Sequence, residues 1–154
     1  MPESKVMSAT AFPSPAIWVA HRISYGETDA MGIVYYAEYL HIFERARDAY
    51  IRVSGFSYRE VEAKGIYLPV REVQCRYRSP ARFDDVVHCR VAIAEWGRAS
   101  LTFQYELMDE QHEKVLVTGF TQHASADVNG KPVRMPEWLK AISDSIPEDK
   151  LILL

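Results

Sequence analysis

One acid in this chain is placed where an acid can do chemistry. Asp29 falls inside Tyr25-Gly26-Glu27-Thr28-Asp29-Ala30-Met31-Gly32, a stretch of small and polar residues, and a helical pattern begins just beyond it, near Tyr35 or Tyr36. The first backbone N–H groups of a helix lack partners within it and carry partial positive charge, so a carbonyl oxygen placed there is stabilised as it becomes an oxyanion. A carboxylate beside that oxygen can attack the carbonyl carbon or activate a water. Gly32, with no side chain, lets a ligand approach the backbone closely. This equipment suits acyl transfer from a reactive carbonyl such as a thioester, without metal or catalytic triad. Spacing alone allows a second reading, because Asp is favoured near helix starts simply for accepting turn N–H groups.

Other chemistries lack their residues. The five histidines, His21, His41, His88, His112 and His123, are scattered and never take the H-E-x-x-H spacing of a zinc site. His41 and Glu44 lie three apart, but a di-iron site needs Glu-x-x-His in that order on two helices, with further acids. There is no G-x-S-x-G elbow, no G-x-G-x-x-G turn and no Walker loop. No metal and no cofactor is expected. The formal charge of -3 does not supply the basic face that nonspecific nucleic-acid binding requires, so no nucleic-acid partner is expected.

The elements that must position Asp29 follow from periodicity. The 154 residues, 48% hydrophobic and 25% charged, suit one globular domain with a core of its own. Residues 1–16, with Pro2, Pro13 and Pro15, read as a flexible leader, 17–145 as the domain and 146–154 as a tail. Ile17, Val19, His21, Ile23 and Tyr25 alternate as a half-buried strand. Leu40, Phe43, Ala46, Tyr50 and Val53 then recur at helical steps, with His41, Glu44, Arg45, Asp48 and Arg52 on much of the other face. The helix aromatics Tyr39, Phe43 and Tyr50 read as core. Gly55 ends this helix, and Ser57 with Glu60 has the spacing of a capping box opening a short helix to Gly65.

Extended runs follow at 67–78, 86–96, 100–108 and 115–128, with hairpin connections at 96–98 and 109–112. A short surface helix is expected after Pro136. One strand, a long helix, a short helix and then consecutive strands predict an α+β domain with an antiparallel sheet and a helix on one face. No apolar run approaches the roughly 18–20 residues of a membrane-spanning helix, and Met1-Pro2-Glu3-Ser4-Lys5 lacks the pattern of a secretory signal. Cys75 and Cys89 stand alone in strand-like runs, as small apolar fillers of a reduced, cytoplasmic protein.

The run from Tyr25 to Leu40 resembles the 4-hydroxybenzoyl-CoA thioesterase family of hotdog proteins, particularly its Tol-Pal-associated acyl-CoA thioesterase branch. Phe43-Glu44-Arg45-Ala46-Arg47 and Tyr77-Arg78-Ser79-Pro80-Ala81-Arg82-Phe83-Asp84-Asp85 continue the likeness, which covers roughly residues 17–128. The resemblance implies a five-stranded antiparallel sheet wrapped around a long central helix, and a homodimer or homotetramer, a dimer of dimers, with sites between subunits. It implies hydrolysis of an acyl-CoA, with Asp29 as nucleophile or general base and the backbone N–H near Tyr36 as donor to the thioester carbonyl. Tyr25, Gly32 and Val34 would line or shape the site. Many members of that branch have histidine where this chain has Tyr36, a change the backbone donor survives and a histidine acid-base partner does not. Arg76, Arg78 and Arg82, and more weakly Arg98, are candidates for the CoA phosphates, although most surface arginines are solvated or paired locally.

Three rivals share the fold. A hydratase resembles a different pattern, with histidine in the loop. A thioesterase for acyl groups on a carrier protein keeps the same chemistry with another leaving group. A noncatalytic acyl-binding protein has no need of an acid at Asp29.

Overall fold

The computed structural model describes residues 12–153. Strand β1 (Ala16–Arg22) leads through a 3-10 turn (Tyr25–Glu27) to helix α1 (Glu38–Val53), then α2 (Tyr58–Ala63). Strands β2 (Val70–Tyr77), β3 (Val86–Trp96), β4 (Ser100–Asp109) and β5 (Val115–Ala124) follow, then α3 (Glu137–Lys140), a 3-10 turn (Ala141–Ser145) and β6 (Lys150–Ile152). The order in the sheet is β2-β5-β4-β3-β1-β6.

The alternation read from the sequence is the alternation that packs. Leu101, Phe103, Tyr105 and Leu107 of β4 and Val87, Cys89, Val91 and Ile93 of β3 are buried in one core with α1. Phe43 of α1 stacks on Tyr105 with ring centroids 4.2 Å apart and planes 3° off parallel, and a buried ring of this size contributes roughly 2–3 kcal/mol. Gly119 of β5 permits this approach: a Cβ there would lie 2.3 Å from the Gln74 carbonyl oxygen and 2.9 Å from the Phe43 ring.

Beneath the helix a chain of hydrogen bonds crosses the core. The Arg47 guanidinium donates to the Tyr105 hydroxyl at 3.4 Å, which meets Thr121 Oγ1 at 2.7 Å, and Thr121 meets His123 Nε2 at 2.8 Å. His123 Nδ1 lies 2.9 Å from the Leu68 carbonyl. A carbonyl only accepts, so Nδ1 carries the proton and each hydroxyl donates onward toward His123.

Several expectations shift. The five antiparallel strands are present, but β6 adds a sixth, parallel to β1, so the sheet is mixed. Three residues are too few to display a strand period, which hid β6 in the tail. Ile146 is buried, and Glu148 accepts the Ala16 N–H at 2.7 Å and the Ser14 hydroxyl. Of the leader, residues 1–11 lie outside the described residues, while Ala16 is fully buried in β1.

Helix α1 starts at Glu38 rather than near Tyr35, because Thr28 and Arg82 bridge Val34 and Ile33 and hold the preceding segment extended, with the Tyr35 N–H donating to the Glu27 carbonyl at 2.9 Å. Its buried face runs through Tyr39, Ile42, Phe43, Ala46, Ala49 and Tyr50, and Leu40, placed in the apolar stripe by spacing, is 38% exposed. Gly55 has φ +106 beyond the helix end, and the reciprocal Ser57–Glu60 capping box opens α2.

Candidate active site

Asp29 sits in a narrow hairpin. Its N–H donates to the Ile33 carbonyl at 2.8 Å, its carbonyl accepts the Gly32 N–H at 3.0 Å, and Thr28 bridges Val34. Gly32 closes this turn at φ +78, where L side chains are strained. A Cβ on Gly32 would meet nothing within 4 Å, so the glycine is required by backbone conformation and not by crowding. Asp29 Oδ1 accepts the Met31 N–H at 2.8 Å, which is the turn-stabilising role that its spacing allowed. Among the described residues Oδ2 accepts no hydrogen bond, so one oxygen holds the turn and the other is left for a ligand or water.

Residues 79–85, far away in sequence, dock this hairpin onto the start of α1. The Val34 N–H donates to the Ala81 carbonyl at 2.9 Å, Ile33 bridges Arg82, and the Ala81 N–H donates to the Tyr39 hydroxyl at 3.2 Å. Val34, Ala81 and Tyr39 are all buried. Burial pushes the Tyr39 phenol above its ordinary pKa, and the Asp29 carboxylate adds a smaller push in the same direction.

No side chain caps the first turn of α1, although the Glu38 N–H donates to the Tyr35 carbonyl at 2.8 Å and the Leu40 N–H to the Ala37 carbonyl at 3.2 Å. Ala37 precedes the helix in helical conformation with no side chain bonded to the helix N–H groups, and among the described residues the Tyr36 N–H has no backbone acceptor. The Tyr77 hydroxyl, from the end of β2, donates to the Tyr36 carbonyl at 3.0 Å. Between the hairpin, the helix start and the end of β2 lies a cleft of 290 Å³ lined by Val34, Tyr36, Tyr39 and Tyr77, with Arg78 in its wall.

Of the residues chosen from sequence, Val34 and Tyr36 line this cleft, while Asp29 and Gly32 form the hairpin beside it. Tyr25 stands apart, 79% exposed and edge-on to Phe83 at 5.8 Å, because β1 ends at Arg22 and the 3-10 turn swings it outward. Arg98 belongs to the β3–β4 hairpin, roughly 30 Å along β3 from the end nearest the cleft. The sequence does not mark Tyr39 and Tyr77 as site residues: Tyr39 reads as core, and the partner of the Tyr77 hydroxyl is 41 residues away. A larger cavity of 720 Å³, bordered by Arg47 and Tyr58, lies elsewhere, since Arg47 is roughly 12 Å along α1 from Tyr39.

Residues 23–142 match the thioesterase-like superfamily, a span that takes in the Asp29 hairpin, α1 and strands β2 to β5. The chain belongs to this superfamily. This thioesterase-like chain is 33% identical over 122 residues to the acyl-CoA thioesterase YbgC of Haemophilus influenzae, covering 78% of this chain and 88% of that protein. A hypothetical protein from Thermus thermophilus superposes with a TM-score of 0.77 at 32% identity, over 86% of this chain and 98% of that one. A 4-hydroxybenzoyl CoA thioesterase solved with 4-hydroxybenzoyl CoA superposes with a TM-score of 0.77, over 84% of this chain and 99% of its own, and at 20% identity that likeness shows the hotdog fold alone. The family resemblance read from Tyr25 to Leu40 holds.

Proposed function

We propose that this chain hydrolyses an acyl-CoA thioester to a carboxylic acid and CoA. One observation carries the reading: the Asp29 hairpin is docked through Ala81 and Tyr39 onto a helix start that no side chain caps, where the Tyr36 N–H has no backbone acceptor among the described residues, beside a cleft. The likeness to an acyl-CoA thioesterase over 78% of the chain supports it. The thioester carbonyl would receive the Tyr36 N–H, with the helix start favouring negative charge on its oxygen. Asp29 would either add to the carbonyl carbon, the C–S bond breaking to release CoA as thiolate and leave a mixed anhydride that water hydrolyses to the acid and free Asp29, or take a proton from a water that adds, the C–S bond then breaking to give the acid and CoA thiolate directly.

Asp29→Asn is the discriminating variant, since an amide oxygen can still accept the Met31 N–H and keep the turn. Followed by thiol release over CoA thioesters of varied chain length and aromaticity, it should lower turnover by a factor of about 10²–10⁴ with the fold intact. Near-normal turnover would reject Asp29 as the catalyst.

The oligomer belongs to the same proposal. Strand β2 is an edge of the sheet, with Val70, Val73 and Tyr77 exposed along it, and an unpaired edge of this kind invites a second copy. A homodimer, or a tetramer of two such dimers, would bring a partner beside the cleft at Tyr77. Val73→Lys should shift the mass in solution toward 17.7 kDa; an unchanged oligomer would place the interface elsewhere. Among the described residues no helix is long and apolar enough to cross a membrane, and Cys75 and Cys89 are free thiols. The thiols fit a reducing, cytoplasmic setting.

A further inference from the structure

We infer that Glu27, which lies outside the cleft, is the positioning residue that holds the Asp29 hairpin in register with α1. The inference rests on the assignment of the reaction to Asp29. Glu27 ends the 3-10 turn two residues before Asp29 and is only 6% exposed. Its Oε1 accepts the Ser24 N–H at 2.7 Å and the Ser24 hydroxyl at 3.1 Å. His21 Nε2, from β1, lies 3.0 Å from Oε1 and 2.9 Å from Oε2. The Arg45 guanidinium, from α1, donates to Oε2 at 3.3 Å. The main-chain carbonyl of the same residue accepts the Tyr35 N–H at 2.9 Å, one residue before Tyr36.

Glu27 therefore grips β1, its own turn, the body of α1 and the segment leading into α1. Burial alone would favour the neutral acid, but the Ser24 N–H and His21 outweigh it and hold the carboxyl below its ordinary pKa, so the charge that draws Arg45 is kept. The Arg45 side chain is 47% exposed, and a half-solvated ion pair adds little to stability. Direction is what the contact supplies. Asp29 itself makes no hydrogen bond to α1 among the described residues, so charge links hairpin to helix through Glu27 and Arg45. An error of about 1 Å in placing a reacting group can cost about 10²-fold in rate.

The test measures kcat, KM and thermal unfolding for Glu27→Gln, Arg45→Gln, the double variant and Asp29→Asn, using thiol release from a CoA thioester that the wild type cleaves. Glu27→Gln should lower kcat by about 10–100-fold with KM within about threefold. Arg45→Gln should lower kcat by about 3–10-fold, and the double variant should be no slower than Glu27→Gln, because both act through one contact. A folded Glu27→Gln protein with normal kcat, or one changed only in KM or in folded fraction, overturns the inference. Losses that multiply in the double variant overturn the link through Arg45. If Glu27→Gln fails to fold, Arg45→Gln carries the test, and normal kcat there overturns it. Normal turnover by Asp29→Asn would instead sink the assignment to Asp29, whereas an inactive Asp29→Asn beside a normal Glu27→Gln sinks the positioning role alone.

Discussion

The Tyr77 hydroxyl donates a 3.0 Å hydrogen bond to the Tyr36 carbonyl, tying the end of the edge strand β2 to the residue that leads into α1. The bond fixes the plane of the peptide that follows Tyr36 and so steadies the backbone around the Tyr36 N–H. Tyr77→Phe removes only the donor. With a net hydrogen bond worth about 1 kcal/mol, kcat should fall about fivefold while unfolding shifts little; an unchanged kcat in steady-state assays would remove Tyr77 from the site.

Gly32→Ala tests the hairpin itself. At φ +78 a Cβ costs about 1–2 kcal/mol without touching any neighbour. Relief by a change in the turn would displace Asp29, whose carbonyl accepts the Gly32 N–H. Activity should drop about tenfold or more with a modest loss in Tm, and equal activity by thiol release would show that the turn tolerates the strain.

Gly119→Ala tests the contact of α1 with the sheet. Its Cβ would be driven against the Gln74 backbone and the Phe43 ring, and overpacking of this kind costs about 1–3 kcal/mol. Calorimetry should show Tm lowered by roughly 3–10 °C; an unchanged Tm would mean that α1 and β2 separate freely.

His123 makes stability fall with acid. Burial lowers its pKa to about 4, against an ordinary unfolded value near 6.5. Between these values the unfolded chain takes up a proton that the folded chain refuses, so the stabilising contribution is complete above about pH 6.5 and declines as pH falls toward 4. From pH 7.5 to 4.5 urea unfolding should show a loss of roughly 2–3 kcal/mol from this group. His123→Gln should flatten that difference, since other groups titrate in both proteins, and an equal loss in both would assign it elsewhere.

Much of the frame was legible because its causes are local. The alternation of Leu101, Phe103, Tyr105 and Leu107, the Ser57–Glu60 box and the Gly55 stop act over two to four residues, and each stands where the sequence places it. Tyr39 is buried as its aromatic character suggests, whereas Leu40, one residue on and so about 100° around the helix, is turned partly to solvent, because the packing of α1 on the sheet and not the spacing alone sets which edge of the stripe is covered. Tyr25 leaves the cleft for a similar reason: β1 stops at Arg22, a boundary that alternation alone does not mark.

The amino-acid order by itself determined an α+β domain, a long amphipathic helix, the small-residue loop around Asp29 and the family it belongs to. Only the tertiary structure decided that Ala81 and Tyr39 hold this loop to the helix, that Tyr77 meets Tyr36, that Glu27 gathers His21, Ser24 and Arg45, and that the tail contributes β6. Periodicity and capping report energies between near neighbours along the chain. Contacts between residues 41 or 42 positions apart depend instead on the order and register of strands, which the packing of the whole core selects.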